Sequence, residues 1–236
     1  MRYRNSGCIR FVAGTIAILV AMAGVTVAGP PLVCHAFDIG GAKSLPFVGH
    51  AWNLSGAEGY DTSDLARDTL AILNSSPVTL VHMETLRRAT LYARKDPQAA
   101  RQLLLMLTAR ADAAQSSPHP DALAVFDAGY VAAAYQQWLG EGGENPAHGL
   151  DGYALVKKAL GMRGNDAQME FAAALITLRG PEAVHQEHGL KAVAGAKTDE
   201  LLARNLSSHF LGQSQTMVEM ITRGPETKVV RNERAK

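Results

Sequence analysis

"SSPVTLVHMETLRRATLYARKDPQAARQLLLML", Ser75 to Leu107, decides the fold class. Ser76-Pro77 and Asp96-Pro97 are two copies of one device. A side chain that can cap a helix precedes a proline in the first turn, where the missing N–H costs nothing. Each pair predicts a helix start, with the serine as N-cap of the first helix. The run Leu103 to Leu107 is apolar on every side of a helix, which predicts burial on several faces.

The same punctuation extends outward. A helix is expected from near Ser63, carrying Leu65, Leu70, Ile72 and Leu73. Pro120-Asp121 opens another, along which Phe126, Tyr130, Ala134 and Trp138 recur every four residues. "GEGGENPAHG" (140–149) is a loop by composition. Further helices are expected from near Asp151, from Asn165 (with Gln168 completing a capping box), after Gly180-Pro181, from a Thr198 cap, and briefly after Ser214. No stretch beyond residue 60 alternates as a strand does. The expectation is an all-α domain of about eight or nine helices over residues 62–222.

"LRRATLYARKDPQ" (86–98) and "VKKALGMRGNDAQ" (156–168) lie 70 residues apart. Both run through an apolar residue, two bases, an alanine, a helix end, an acidic cap and a new helix. Seventy residues is about two units of a tetratricopeptide-like (TPR-like) array. A TPR-like or solenoid-like bundle is expected, with an irregular globular bundle as the alternative, since the Trp-Leu-Gly-Tyr consensus is missing.

The N-terminus carries an address. Arg2, Arg4 and Arg10 precede 18 uncharged residues, Phe11 to Ala28, in the pattern of a secretory signal peptide. Thr26-Val27-Ala28 fits the small-x-small rule at a cleavage site. Cys34-His35-Ala36 is a second candidate, and an uncleaved membrane anchor is the third reading. Residues 1–28 are thus expected to be a leader, 29–61 an irregular arm, and 223–236 a flexible basic tail. Three of the 23 basic residues and none of the 22 acidic ones lie in the leader, which leaves the remainder at −2. That charge, without a basic stripe, gives no footprint for nucleic acid. Removing the leader also removes Cys8 and leaves Cys34 as an odd cysteine.

"CHAFDIGGAKSLP" (34–46), "METLRRATLYARKD" (83–96), "FDAGY" (126–130) and "MEFAAALITLRG" (169–180) resemble a family of uncharacterised, secreted, all-helical bacterial proteins. The resemblance implies export and a helical fold, and it carries no catalytic residue. It also argues against use of the Asn-x-Ser sequons at Asn53, Asn74 and Asn205.

Four places carry candidate chemistry. On a helix, Glu182, His185 and His188 of "PEAVHQEHG" fall at three-residue steps near one face, a metal-like spacing to which a later helix could add His209. Neither a second Glu-x-x-His nor a zinc-protease spacing accompanies it. Cys34, with His35, Asp38 and His50 close by, could be a reactive or bridging thiol or a metal site, although the glycine-hinged, apolar segment around it reads as an arm lying across helices. Phe126, Tyr130 and Trp138 could line a groove, against the alternative of core. Asp127 and Glu170, inside apolar helices, are acids with raised pKa, or point out to solvent, or pair with Arg87, Arg88, Lys157 or Lys158. The expected function is an exported, non-catalytic binding or scaffold module of the cell envelope with a peptide or protein partner and no cofactor. The alternatives are a metal-binding protein or enzyme, and a membrane-anchored helical protein.

Overall fold

The computed structural model describes residues 31–48, 54–139 and 145–210. Eight α-helices occupy them, after one 3-10 turn at Thr62–Asp64: α1 (Leu65–Ser75), α2 (Thr79–Ala93), α3 (Pro97–Gln115), α4 (Ala122–Trp138), α5 (Gly152–Arg163), α6 (Ala167–Thr177), α7 (Glu182–Ala196) and α8 (Glu200–Phe210). Among the described residues no strand forms, and one isolated bridge joins Phe47 to Gly56. The fold is all-α. The leader, His50, the sequon at Asn53, the helix expected after Ser214 and the basic tail lie outside the described residues.

Aspartate starts most of these helices. Asp96, Asp121 and Asp166 each accept two backbone N–H groups of the first turn, and Asp151 and Asp199 each accept one. An anionic oxygen at a helix N-terminus satisfies orphan donors and meets the positive end of the dipole. This preference corrects two expected boundaries. Asp166, not Asn165, caps α6, and Asp199, not Thr198, caps α8. Ser76 is not an N-cap either. The proline after it holds it extended, its hydroxyl accepts the Val78 N–H, and α2 begins at Thr79.

Helices α2, α4 and α6 touch one another, and the remaining helices pack around them. α4 is apolar on every side because it is surrounded, with Ala124 to Tyr135 all buried. It meets α5 at close backbone range through Gly129 and Gly152. A Cβ on Gly129 would stand 2.7 Å from the Gly152 carbonyl oxygen. The run Leu103 to Leu107 departs from its expectation. α3 packs by one stripe, so Leu103, Leu104 and Leu107 are buried while Leu105 is 69% exposed. The arm, residues 31–48, has no regular structure and carries Leu32, Val33, Phe37 and Leu45 into the common core.

Candidate functional site: a groove closed by the N-terminal arm

The residues that hold the arm are side chains of the helices, and what they hold is mostly main chain. Glu84, Arg87 and Arg88 sit at i, i+3 and i+4 on α2, so their heads converge. The Glu84 carboxylate, fully buried, accepts Arg87 Nε at 2.7 Å, Arg87 Nη2 at 3.0 Å and Arg88 Nε at 2.6 Å. It also accepts the Phe37 backbone N–H at 2.9 Å. Arg87 Nη1 donates to the Val33 carbonyl at 3.1 Å, and Arg88 Nη1 to the Leu45 carbonyl at 2.6 Å. Both guanidinium groups lie over the Phe47 ring, 4.8 and 5.2 Å from its centroid.

Four more helix side chains add to the grip. From α4, Gln137 Oε1 accepts the Leu32 N–H at 3.1 Å. From α2, the Tyr92 hydroxyl donates to the Pro46 carbonyl at 2.5 Å and accepts the Ala57 N–H at 2.8 Å. From α8, Asn205 reads both polar groups of one residue. Its Oδ1 accepts the Asp38 N–H at 2.9 Å, and its Nδ2 donates to the Asp38 carbonyl at 2.8 Å. The Asp38 side chain pairs with Arg204 at 2.7 Å. That hydrogen bond, with one from the Gly40 N–H, holds the carboxyl below its ordinary range.

At the α8 end the arm meets two rings. His209 is stacked on Phe37 at 4.5 Å, meets the His35 ring at a tilt at 4.3 Å, and has Phe171 edge-on at 5.5 Å. His209 Nδ1 donates to the Asn205 carbonyl, while its Nε2 is buried with no hydrogen-bond partner among the described residues. Burial, and then the neighbouring His35, push the imidazole down to about 3, so the ring is neutral.

Two further clusters are buried in the helical body. His82 lies between acceptors on both sides, Nδ1 at 2.6 Å from Asp127 Oδ1 and Nε2 at 2.8 Å from the Ser76 carbonyl. Two acceptors require two ring protons, so this imidazole is a cation. Burial works to lower its pKa. The Asp127 charge and the hydrogen bonds overcome that and hold it above the ordinary value. Arg110 binds the other Asp127 oxygen at 2.6 Å. Asp127 therefore pairs with His82 and Arg110 rather than with the expected Arg87 or Arg88, and it ties α2, α3 and α4 together.

Glu170, His188 and Tyr153 form the second cluster, in series. His188 Nδ1 meets Glu170 Oε2 at 2.5 Å, and Nε2 meets the Tyr153 hydroxyl at 2.8 Å. Carboxylate, imidazole and hydroxyl in line are the order of a nucleophile, its base and the base's orienter. Burial, then the Glu187 and Glu170 charges, push the Tyr153 phenol up, which opposes a phenolate. Lys191 approaches Glu170 at 3.5 Å, so Glu170 too finds partners other than the expected Lys157 or Lys158.

These contacts disperse the expected metal ligands. His188 is taken by Glu170 and Tyr153, His185 Nδ1 donates to the Ala174 carbonyl, and Glu182 accepts Gln186 on the surface. The spacing of Glu182, His185 and His188 placed them on neighbouring faces of α7, but α6 draws the two imidazoles inward to different acceptors. Among the described residues no three His, Cys, Asp or Glu side chains converge as a metal site. Cys34 is buried, and burial pushes its thiol up against a smaller pull from Arg87. A bridging or nucleophilic thiol needs access and a lowered pKa, so Cys34 has the wrong setting for either role. Phe126 and Tyr130 are fully buried and line no groove, because helices surround α4. Trp138 is half-buried under Arg94, whose guanidinium lies 4.4 Å from the ring centroid.

Glu84, Asn205, Arg204 and Gln137 escaped the sequence reading. Glu84 carried a signal, a carboxylate inside an apolar helix with arginines three and four residues on. Asn205 carried none beyond its sequon, and it is fully buried on Asp38. An open polar cleft of about 480 Å³ also lies where α2, α6 and α8 begin, lined by Thr79, Arg163, Asp166, Gln168 and Asp199. Comparison of the chain with protein-family models, curated proteins and solved structures finds no match in any of the three.

Proposed function

We propose that this protein is an exported, non-catalytic binding module of the cell envelope that holds an extended segment of a peptide or protein partner. One observation carries the reading. Helices α2, α4 and α8 present side-chain donors and acceptors to the main chain of a segment that has turns but no regular secondary structure. The arm also bears on processing. Cleavage after Ala36 would remove Leu32 and Val33, which are wholly buried, and leave Arg87 without the Val33 carbonyl. Cleavage after Ala28 keeps both, so Gly29 is the expected first residue of the exported form.

The test is peptide display against protein exported by its own N-terminus and checked by intact mass. The expected result is enrichment of extended peptides that carry adjacent aliphatic residues and an aromatic residue. Bound peptide should slow hydrogen exchange in α2 and α8. Enrichment of nothing, or a native mass raised by one stoichiometric metal ion, would overturn the reading.

A further inference from the structure

We infer that the arm is an exchangeable occupant of the groove, so that an arm-like segment of a second chain can take its place. This rests on the peptide-binding reading above and names the partner's chemistry. The segment carries two adjacent aliphatic residues, a phenylalanine four positions later and a carboxylate directly after it, as in Leu32, Val33, Phe37 and Asp38.

The polar heads that hold the arm are also held by their own helices. Glu84 is gripped by Arg87 and Arg88 of its own helix through three hydrogen bonds, and Asn205 Nδ2 is tied to the Leu201 carbonyl one turn back on α8. These heads are therefore aimed before any segment arrives, which is the condition for tight recognition at low ordering cost. Departure of the arm uncovers two kinds of surface: the charged and amide heads, which water can satisfy, and the apolar floor under Leu32, Val33, Phe37 and Leu45, which favours refilling by a segment of the same chemistry. Chemistry divides along the arm as well. Contacts to the Leu32, Val33, Phe37 and Asp38 main chain accept any sequence. The buried Leu32, Val33 and Phe37 side chains and the Asp38–Arg204 pair select one. His209 adds an apolar floor, since its ring is neutral and stacked on Phe37.

The experiment uses the full exported chain with a specific protease site placed within residues 49–53, cut after folding. A fluorescent synthetic peptide of residues 31–48 is added, and native mass spectrometry follows the arm fragment. The expected result is replacement of the cleaved arm by one labelled peptide per chain, with the helical signal retained. Asn205→Ala should weaken the labelled peptide about tenfold, because two main-chain hydrogen bonds are lost. A peptide carrying Asp38→Ala should bind less tightly to wild type, and it should bind equally to Arg204→Ala and wild type. Retention of the original arm without exchange would overturn the inference. So would loss of the arm together with the fold, or binding that Asn205→Ala leaves unchanged. If display-selected peptides bind while the arm peptide never exchanges, the function stands and this inference falls. If no peptide binds at all, both fall.

Discussion

Two buried charged centres lie two residues apart on α2 and do opposite work. His82 faces the helices. Its partners are Asp127 of α4 and the Ser76 carbonyl before α2, and Arg110 of α3 closes the set. Glu84 faces the arm, and beyond its own arginines its partner is the Phe37 main chain. Side chain to side chain fixes one helix against another. Side chain to main chain reads a segment whose sequence can vary. The first arrangement builds a core, and the second builds a surface on which a chain can be laid down.

The widest separation between the two centres is expected on removing one anion from each. Asp127→Ala leaves the His82 cation and Arg110 without their buried counter-charge, at a cost of about 3–5 kcal/mol. Chemical denaturation should show the whole helical signal failing earlier. Glu84→Gln should cost about 2 kcal/mol, and limited proteolysis should cut the arm first while helical circular dichroism persists. Asn205→Ala should cost about 1 kcal/mol and loosen only the segment around Asp38. Asp38→Ala is the smallest change, about 0.5 kcal/mol, because the pair with Arg204 is half exposed.

Protonation separates the same two regions with opposite sign. The folded pKa of His82 is raised, so its stabilisation is complete below the unfolded value of about 6.5. It is lost as pH rises through the folded value. His209 is held neutral, with a folded pKa of about 3. Its stabilisation is complete above about 6.5 and is lost as pH falls from there toward 3. The ionisable groups that face it are His35 and Arg87, both of which oppose a charge on the ring. Acid should therefore release the arm before the body, and His209→Phe should flatten that acid limb. Proteolysis of the arm across pH 3–7 measures it.

Much of the fold was legible because its devices are local. Asp96-Pro97 and Pro120-Asp121 announce helix starts through a cap and a proline, and both helices begin there. Boundaries slipped where two capping residues stand side by side. At Asn165-Asp166 and Thr198-Asp199 the carboxylate wins, because a negative charge meets the helix dipole. The site was far less legible. Asp38 and Asn205 are 167 positions apart, and no periodicity links them. The histidine spacing in "PEAVHQEHG" was real but uninformative, since what His185 and His188 touch is decided by α5 and α6. Helical position gives a side chain its direction, and only tertiary packing gives it a partner.

Amide hydrogen exchange of Phe37 and Asp38 tests most directly whether the arm, whose apolar side chains are buried in the core, opens independently of the helical body. Exchange is compared with that of Asp127 and Tyr130 on α4, in wild type, Glu84→Gln and Asn205→Ala. The account predicts that the two arm amides lose protection in the variants while the α4 amides keep theirs. Loss of protection in the arm and α4 together would contradict it, and would make residues 31–48 one more layer of the core.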